Sequence, residues 1–267
     1  MVNKNMVKAI LWLHLLRLSR YKYSFVNYIL VDILWYMIFL LGALMFVPTQ
    51  GFVDTAIITF WGIVLWVILN NSVWLIAGWT WFILSIGMVD EHILTNTNPL
   101  LFITGRFITG MTISFSTIPL VLIIFTNIAG SKALTILHPL WLITGMMLMI
   151  SYAVLYALAL AALSLRTEVP GSMLDILNIF MYIGGGLGAP LKFMPEALRS
   201  FAILMPYTHA AEIVRYGVLG IEPYLGLSRE AVIATVYLAG MAITVYFIVK
   251  RVTEYIRRYG ARAVGMM

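Results

Sequence analysis

The side chains that could carry chemistry are few in this sequence, and they stand far apart. Among its four histidines, His14, His92, His138 and His209, no two have the spacing of metal ligands, and the chain has no cysteine. No arrangement of serine and histidine indicates acyl transfer, and the sequence has no G-x-x-x-x-G-K-[ST] loop for a nucleotide phosphate. The sequence therefore predicts no catalytic residue, no metal site and no nucleotide hydrolysis by the chain itself.

Long uncharged stretches make up much of the sequence. Residues 55–89 contain no charged side chain, and the whole chain is 62% hydrophobic and 10% charged, with a mean hydropathy of +0.98. A soluble domain is about a quarter charged, and roughly 20 apolar residues in a helix cross a lipid core of about 30 Å. We therefore predict an all-α integral membrane protein, with a single transmembrane domain over residues 1–267.

The uncharged stretches predict six transmembrane helices. They are expected at residues 25–46, 56–78 with a helical continuation to 89, 107–127, 140–163, 171–190 and 231–249. The fifth is unusual, because only sixteen residues separate Asp175 from Lys192 and four of them are glycines. Sixteen helical residues reach about 24 Å, so this span must use residues before Asp175 or stop short of the outer surface.

Lysine and arginine predict the orientation of the spans. Six spans place both termini on one side, which then holds twelve of the 17 basic residues, while the other side holds five. We therefore expect a multi-pass protein of the cytoplasmic (inner) membrane with both termini in the cytoplasm. Five or seven spans would separate the two basic ends. Because the basic residues follow the topology, the net charge of +6 does not indicate a nucleic-acid partner.

The two ends of the chain are expected to lie outside the spans. Residues 1–23 predict an interfacial helix on the membrane surface, with His14, Arg17 and Arg20 in one row and an apolar face opposite. The alternative is a basic topology anchor without a further role. Residues 250–267 are predicted to form a basic cytoplasmic tail.

Residues 192–222, between the fifth and sixth spans, are too apolar for a solvated loop and are interrupted by prolines. We predict two short extracellular helices at about 196–205 and 207–219. Non-helical backbone persists at membrane depth only where protein or a watery cavity covers it. These helices are therefore expected to be re-entrant, dipping into the outer leaflet.

Residues 88–100 follow the second span on the predicted cytoplasmic side. Asp90 and Glu91 stand at the beginning of this segment and Pro99 near its end. One interpretation is a polar hairpin between spans. The other is a short helix that docks a soluble partner.

The stretch from residue 195 to 220, PEALRSFAILMPYTHAAEIVRYGVLG, resembles the late motif of type 2 ABC transporter permeases. These are the membrane subunits of ABC exporters for drugs, lipids and polysaccharides. In that motif a proline, here Pro195, opens a short extracellular helix. A second proline, Pro206, is followed by an aromatic residue, Tyr207, and an arginine, Arg215, comes about nine residues on.

Residues 88–100 are similar to the coupling helix of the same family, although His92 replaces its usual glycine. The resemblance implies that two copies of an ATP-binding subunit dock on the cytoplasmic face and hold ATP and Mg. This chain would carry no cofactor, would not be an enzyme by itself, and would pair with a second permease copy as a homodimer within membrane lipid. The docking residues implied are Asp90, Glu91, His92 and Pro99.

In this family the translocation path lies between the two permeases, lined chiefly by the second and fifth spans. The lining residues implied here are Asn70, Asn178, Met181 and Tyr182. The substrate would be hydrophobic or amphiphilic: a drug, a lipid or a lipid-linked molecule, moved outward. The alternatives are a polysaccharide exporter permease of the same family, a stand-alone secondary transporter or channel, and a membrane-embedded enzyme. A secondary transporter would usually show repeated spans, and an enzyme would need clustered polar residues at one depth.

Charged residues at membrane depth have two interpretations each. Glu212 and Arg215 lie three positions apart on the second short helix and are expected to pair, because an unpaired charge there would be costly. We prefer a structural ion pair over a substrate contact. Asp32, in the first span, is either a functional carboxylate or a contact to headgroups or to the basic N-terminal helix. Neither Asp32 nor Asp175 has an obvious partner in the sequence.

Overall fold

Helices make up almost all of the chain that can be described. The structure, a computed structural model, describes residues 4–45, 51–95, 99–166 and 171–259. Within these ranges the chain contains no strand, which confirms the all-α prediction there.

The α-helices within the described ranges are numbered in chain order. They are α1 (Lys4–Arg20), α2 (Lys22–Leu44), α3 (Phe52–Ser72), α4 (Trp79–Ser85), α5 (Met88–Leu94), α6 (Pro99–Thr104), α7 (Arg106–Ala129), α8 (Pro139–Arg166), α9 (Gly171–Gly184), α10 (Glu196–Ile203), α11 (Pro206–Leu219) and α12 (Leu227–Tyr259). A π-helical turn, Val73–Gly78, joins α3 to α4. Residues Phe52–Ser85 therefore form one continuous helix, the α3–α4 helix.

Among the described residues, five helices are long and apolar enough to cross a membrane. They are Lys22–Gly42, Phe52–Ser85, Phe102–Ala129, Pro139–Arg166 and Leu227–Tyr259. Each overlaps one predicted span, so the first, second, third, fourth and sixth predicted spans are confirmed as long apolar helices. A multi-pass membrane protein follows from their number.

The fifth predicted span differs from the others. Its helix α9 has 14 residues, which reach about 21 Å and fall short of a lipid core. It begins before Asp175, as the spacing required, but it ends at Gly184. The predicted end of this helix at residue 190 is therefore corrected to Gly184, since Gly186 adopts a left-handed φ of 71° that an α-helix does not contain.

Two boundaries at the ends of the chain also need correction. The helix α1 ends at Arg20 and α2 begins at Lys22, so the predicted interfacial segment 1–23 includes the start of α2. Residues 1–3 lie outside the described part of the chain. In the predicted tail, α12 continues to Tyr259, and residues 260–267 lie outside the described residues.

The α3–α4 helix is the centre of the bundle. In its most apolar 18-residue stretch 67% of the residues are buried. In the corresponding stretches of α2 and α12, which lie at the periphery, 11% are buried. The helix α8 packs closely along α11 because glycines allow it. A Cβ added at Gly217 would lie 2.5 Å from the amide nitrogen of Leu142, and one at Gly145 would lie 2.7 Å from Val214 Cγ2.

The helix α1 turns His14 of its polar row inward and its apolar face outward, while Arg17 and Arg20 are exposed. His14 is only 1% exposed, and its ring lies 5.9 Å from that of Phe102. Trp12, Leu15 and Leu16 are 61%, 47% and 48% exposed. This orientation suits a helix whose apolar face meets lipid.

Candidate functional site

The short helix α9 meets the α3–α4 helix through two polar contacts. Asn178 Nδ2 donates a hydrogen bond of 2.9 Å to Asn70 Oδ1, and Trp74 Nε1 donates one of 3.1 Å to Asp175 Oδ1. Along the α3–α4 helix Trp74 comes after Asn70, and along α9 Asp175 comes before Asn178. The two contacts therefore lie about one helical turn apart on antiparallel segments. We call these four residues the α9 seam.

The predicted lining residues cluster at the α9 seam. Asn178, Met181 and Tyr182 stand on α9 at helical spacing, and Asn70 bonds the first of them. The Tyr182 ring lies edge-on to Trp66, with centroids 5.8 Å apart, one turn from Asn70. Because residues three and four apart share a helix face, the structure brings all four predicted residues together.

One buried polar atom in the α9 seam and one beside it lack a partner among the described residues. Asn178 is 1% exposed, and its Oδ1 makes no hydrogen bond to any described residue. Trp66 Nε1 is also buried and makes no hydrogen bond to any described residue. A buried polar atom without a partner costs about 1–3 kcal/mol, so this place is suited to bind a polar group.

The opposite face of α9 is apolar and open. Its exposed side chains, between 53% and 66% accessible, are Ile176, Ile179, Phe180 and Ile183. The helix thus turns its amide side to the bundle and its apolar side outward, toward lipid or a further apolar surface.

The residue after Asn70 makes a second set of polar contacts. Asn71 Nδ2 donates to Asp32 Oδ2 at 2.9 Å and to Ser114 Oγ at 3.1 Å. The structure supplies the partners that are not obvious in the sequence: Asp32 accepts from Asn71, and Asp175 accepts from Trp74. Two consecutive asparagines link the central helix to α2, α7 and α9.

The π-helical turn Val73–Gly78 begins two residues after Asn71. Such turns insert extra backbone into a helix and often lie at functional sites. Here the turn carries Trp74, which contacts α9.

The predicted ion pair of Glu212 and Arg215 is confirmed, and it holds the loop after α9. Arg215 Nη1 donates to Glu212 Oε1 at 2.8 Å, and the two residues are 1% and 2% exposed. Arg215 Nη2 donates to the carbonyl oxygens of Gly186 and Leu187, each at 2.7 Å. The amide of Leu191 donates to Glu212 Oε1 at 3.1 Å. We call this arrangement the loop clamp.

The loop clamp explains how non-helical backbone is satisfied beside α9. Thr208 Oγ1 adds a hydrogen bond of 2.5 Å to the carbonyl oxygen of Gly185. Because the loop carbonyls bind side chains of α11, they need no water. The contacts of Glu212 and Arg215 favour the structural interpretation over a substrate contact.

The remaining motif residues pack around the same loop. Pro195 precedes the first residue of α10, and Pro206 is the first residue of α11. At a first helical position the N–H that proline lacks would have no partner within the helix, so proline is tolerated there. Tyr207 is 4% exposed and lies so close to Gly185 that a side chain there would meet its ring. These residues shape the loop and short helices. Whether they dip into a leaflet stays a prediction.

One buried pair escaped the sequence analysis. His209 Nδ1 contacts Glu230 Oε2, and both residues are fully buried. His209 Nε2 lies 3.0 Å from the carbonyl oxygen of Ile203. The pair connects α11 to the first turn of α12, and its partners stand 21 positions apart, so no helical spacing could indicate it.

The predicted docking segment is partly described. Asp90 lies in α5 and Pro99 begins α6, but their side chains lie outside the described part. Glu91 is exposed, and the His92 ring lies 4.7 Å from that of Phe102. Burial lowers the pKa of His92 below its ordinary value. The segment thus presents an exposed carboxylate on a helix packed against the bundle.

Comparisons with protein-family models and with curated proteins found no match to this chain. Function must therefore be inferred from the geometry. Among the described residues, no group of three or more His, Asp or Glu side chains could hold a metal ion. What the site offers is a polar seam inside an apolar bundle, with a clamped loop beside it.

Proposed function

We propose that this chain is the membrane subunit of an ATP-driven exporter, of the type 2 ABC permease kind, that moves a hydrophobic or amphiphilic substrate. The α9 seam is the observation that carries the proposal. It joins the second and fifth predicted spans through Asn70 and Asn178, and buried polar atoms of Asn178 and of the neighbouring Trp66 make no hydrogen bond to any described residue. A path for amphiphiles needs such isolated polar groups within apolar walls.

Three further features support the proposal. The five long apolar helices provide a membrane body. The exposed apolar face of α9 would form a wall toward a second copy of the chain, completing the path as a homodimer. The sequence has no phosphate loop, so the energy source would be a separate ATP-binding subunit with bound ATP and Mg.

The working cycle is a two-state equilibrium that a partner biases. The ATP-binding subunits would dock at Asp90, Glu91, His92 and Pro99, and their closure would shift α5 and the α3–α4 helix that precedes it. In this proposal α9 and its loop complete a sixth crossing, the termini lie in the cytoplasm, and α10 and α11 are re-entrant on the outer side.

A polysaccharide exporter of the same kind is the second candidate. The aromatic cluster at the seam favours it, because the Trp66 ring contacts both Phe39, at 4.9 Å, and Tyr182. Sugars stack on aromatic faces, whereas amphiphiles need apolar walls. Photocrosslinking from position 182 in the assembled complex distinguishes the two by the molecule that is captured.

The proposal is tested by docking of the partner. We expect this chain to co-purify with a phosphate-loop ATPase from the same genome when the two are co-expressed. Glu91→Arg should weaken that co-purification about tenfold or more, since it reverses an exposed charge at the contact. Glu254→Arg, which reverses an exposed charge on α12 near the same end, is the matched control and should have no effect.

Unchanged recovery of the ATPase with Glu91→Arg would contradict the assignment of α5 as the docking helix. Failure of every such ATPase to bind wild-type chain would contradict the proposed function itself.

A further inference from the structure

A cavity of about 240 Å³ lies where α1, α2, α4 and α7 meet. It is separate from the α9 seam and from the loop clamp. Its polar lining includes Arg17, Arg106, Ser24, Tyr28 and Thr109, and Trp79 forms one wall. Binding sites for drug-sized molecules measure about 300–1,000 Å³, so this cavity suits a small group rather than a whole amphiphile.

Arg106 is the key residue of the cavity. It is only 8% exposed, and its guanidinium carbon lies 3.6 Å from the centre of the Trp79 ring. Its Nε and Nη1 atoms are buried and make no hydrogen bond to any described residue. A guanidinium buried on an aromatic face, with two donors unused, needs an acceptor.

Positive charge in the cavity is not compensated by the described residues. The guanidinium carbon of Arg17 lies 5.2 Å from the same Trp79 ring. None of the described residues that line the cavity is acidic, and neither arginine takes part in an ion pair within the described chain. Burial and the charges of Arg106 and Arg17 lower the pKa of the adjacent His14, which therefore stays neutral at pH 7.

The position of the cavity points to the membrane surface. Arg17 stands on α1, whose exposed apolar side chains Trp12, Leu15 and Leu16 suit the boundary between headgroups and acyl chains. The neighbouring Ser24 and Tyr28 belong to the first two turns of α2, where that long apolar helix begins.

We propose that this cavity binds a phosphate group, held by the guanidinium groups of Arg106 and Arg17 with hydroxyl donors beside them. Two guanidinium groups match the oxygens of a phosphate better than those of a smaller anion. The phosphate can belong to the headgroup of an anionic lipid or be free inorganic phosphate. The proposal does not depend on the proposed transport function.

The experiment uses the purified full chain in detergent, titrated with phosphatidic acid and measured by native mass spectrometry. Diacylglycerol, which has the same acyl chains and no phosphate, is the reference lipid. We expect Arg106→Gln to raise the apparent Kd for phosphatidic acid about tenfold or more. Arg166→Gln removes an exposed cation from the end of α8 and is the matched control, with an expected change of less than twofold.

A second pair of variants covers the case in which Arg106→Gln does not fold. Arg17→Gln changes an exposed residue of the cavity, and we expect a Kd about threefold higher. Arg20→Gln changes an exposed arginine on α1 that does not line the cavity, and it should leave the Kd unchanged.

Competition with excess inorganic phosphate identifies the source. Displacement of phosphatidic acid from wild type would support a site for free phosphate, and no displacement would support a lipid headgroup. Equal effects of the cavity variants and their controls, or no effect of either, would overturn the proposal. Equal retention of diacylglycerol and phosphatidic acid by wild type would also overturn it.

Discussion

Different chemistry holds the helical body of α9 and the loop that follows it. The loop that follows α9 is fixed by the loop clamp, in which a buried arginine and a buried glutamate bind three backbone groups and each other. The body of α9 is held by the α9 seam, which consists of one amide pair and one indole–carboxylate contact. Hydrogen bonds to charged groups are roughly twice as strong as those between neutral groups, and the seam's contact to a carboxylate, from Trp74 to Asp175, is exposed whereas the loop clamp is buried.

The difference indicates that the loop is a fixed anchor, whereas the body of α9 is a wall that can move. The loop clamp cannot open without leaving Arg215 buried and unpaired, which is costly in a dry environment. The amide pair of Asn70 and Asn178 can exchange its one hydrogen bond for another polar partner at little cost. We therefore expect the loop to stay fixed while the body of α9 shifts relative to the α3–α4 helix.

Breaking the loop clamp should have the largest effect on stability. Arg215→Ala leaves the Glu212 carboxylate without its cation and two loop carbonyls without donors. We expect a loss of about 3–5 kcal/mol in the free energy of unfolding, measured by denaturant unfolding in detergent. Arg229→Ala, an exposed arginine in the first turn of α12, should change it by less than about 0.5 kcal/mol. Similar losses for both variants would remove the distinction between anchor and wall.

Crowding the loop against the central helix should have an intermediate effect. A Cβ added at Gly62 would lie 2.5 Å from the carbonyl oxygen of Leu187, so either the loop or the α3–α4 helix must move. We expect Gly62→Ala to destabilise the protein by about 1–3 kcal/mol. At Gly42 nothing lies within 4 Å of an added Cβ, so Gly42→Ala should be neutral or slightly stabilising. Thermal unfolding of the two variants is the measurement, and equal midpoints would show that the loop is not packed as described.

Disrupting the α9 seam should have the smallest effect on stability. A double-mutant cycle of Asn70→Ala and Asn178→Ala should give a coupling energy of about 0.6 kcal/mol, as interhelical hydrogen bonds in membranes do. A coupling energy as large as the loss from Arg215→Ala would make the seam a second anchor. A value of zero would mean that the two amides do not interact.

Sequence patterns predicted those features that depend on local spacing. Uncharged stretches located the five long helices, prolines located α10 and α11 within two residues at each end, and an i, i+3 spacing predicted the pair of Glu212 and Arg215. Each of these depends on neighbours within a single helix or a single stretch of composition.

Contacts between distant segments could not be predicted in the same way. Asp32 and Asn71 stand 39 positions apart, and Trp74 and Asp175 stand 101 apart, so their pairing depends on how the helices pack. The sequence did place Asn70 and Asn178 on the same path, through the family resemblance, but not in contact. The end of α9 was missed because hydropathy does not distinguish a glycine-rich turn from a glycine-rich helix.

Transport by the assembled protein tests the central claim most directly. The measurement compares proteoliposomes that contain this chain alone with proteoliposomes that contain it with a co-purified ATP-binding subunit, using a fluorescent amphiphile as the probe. The account predicts movement of the probe only with the subunit and ATP. Movement by the chain alone, down a gradient and at the rate of the full complex, would contradict it.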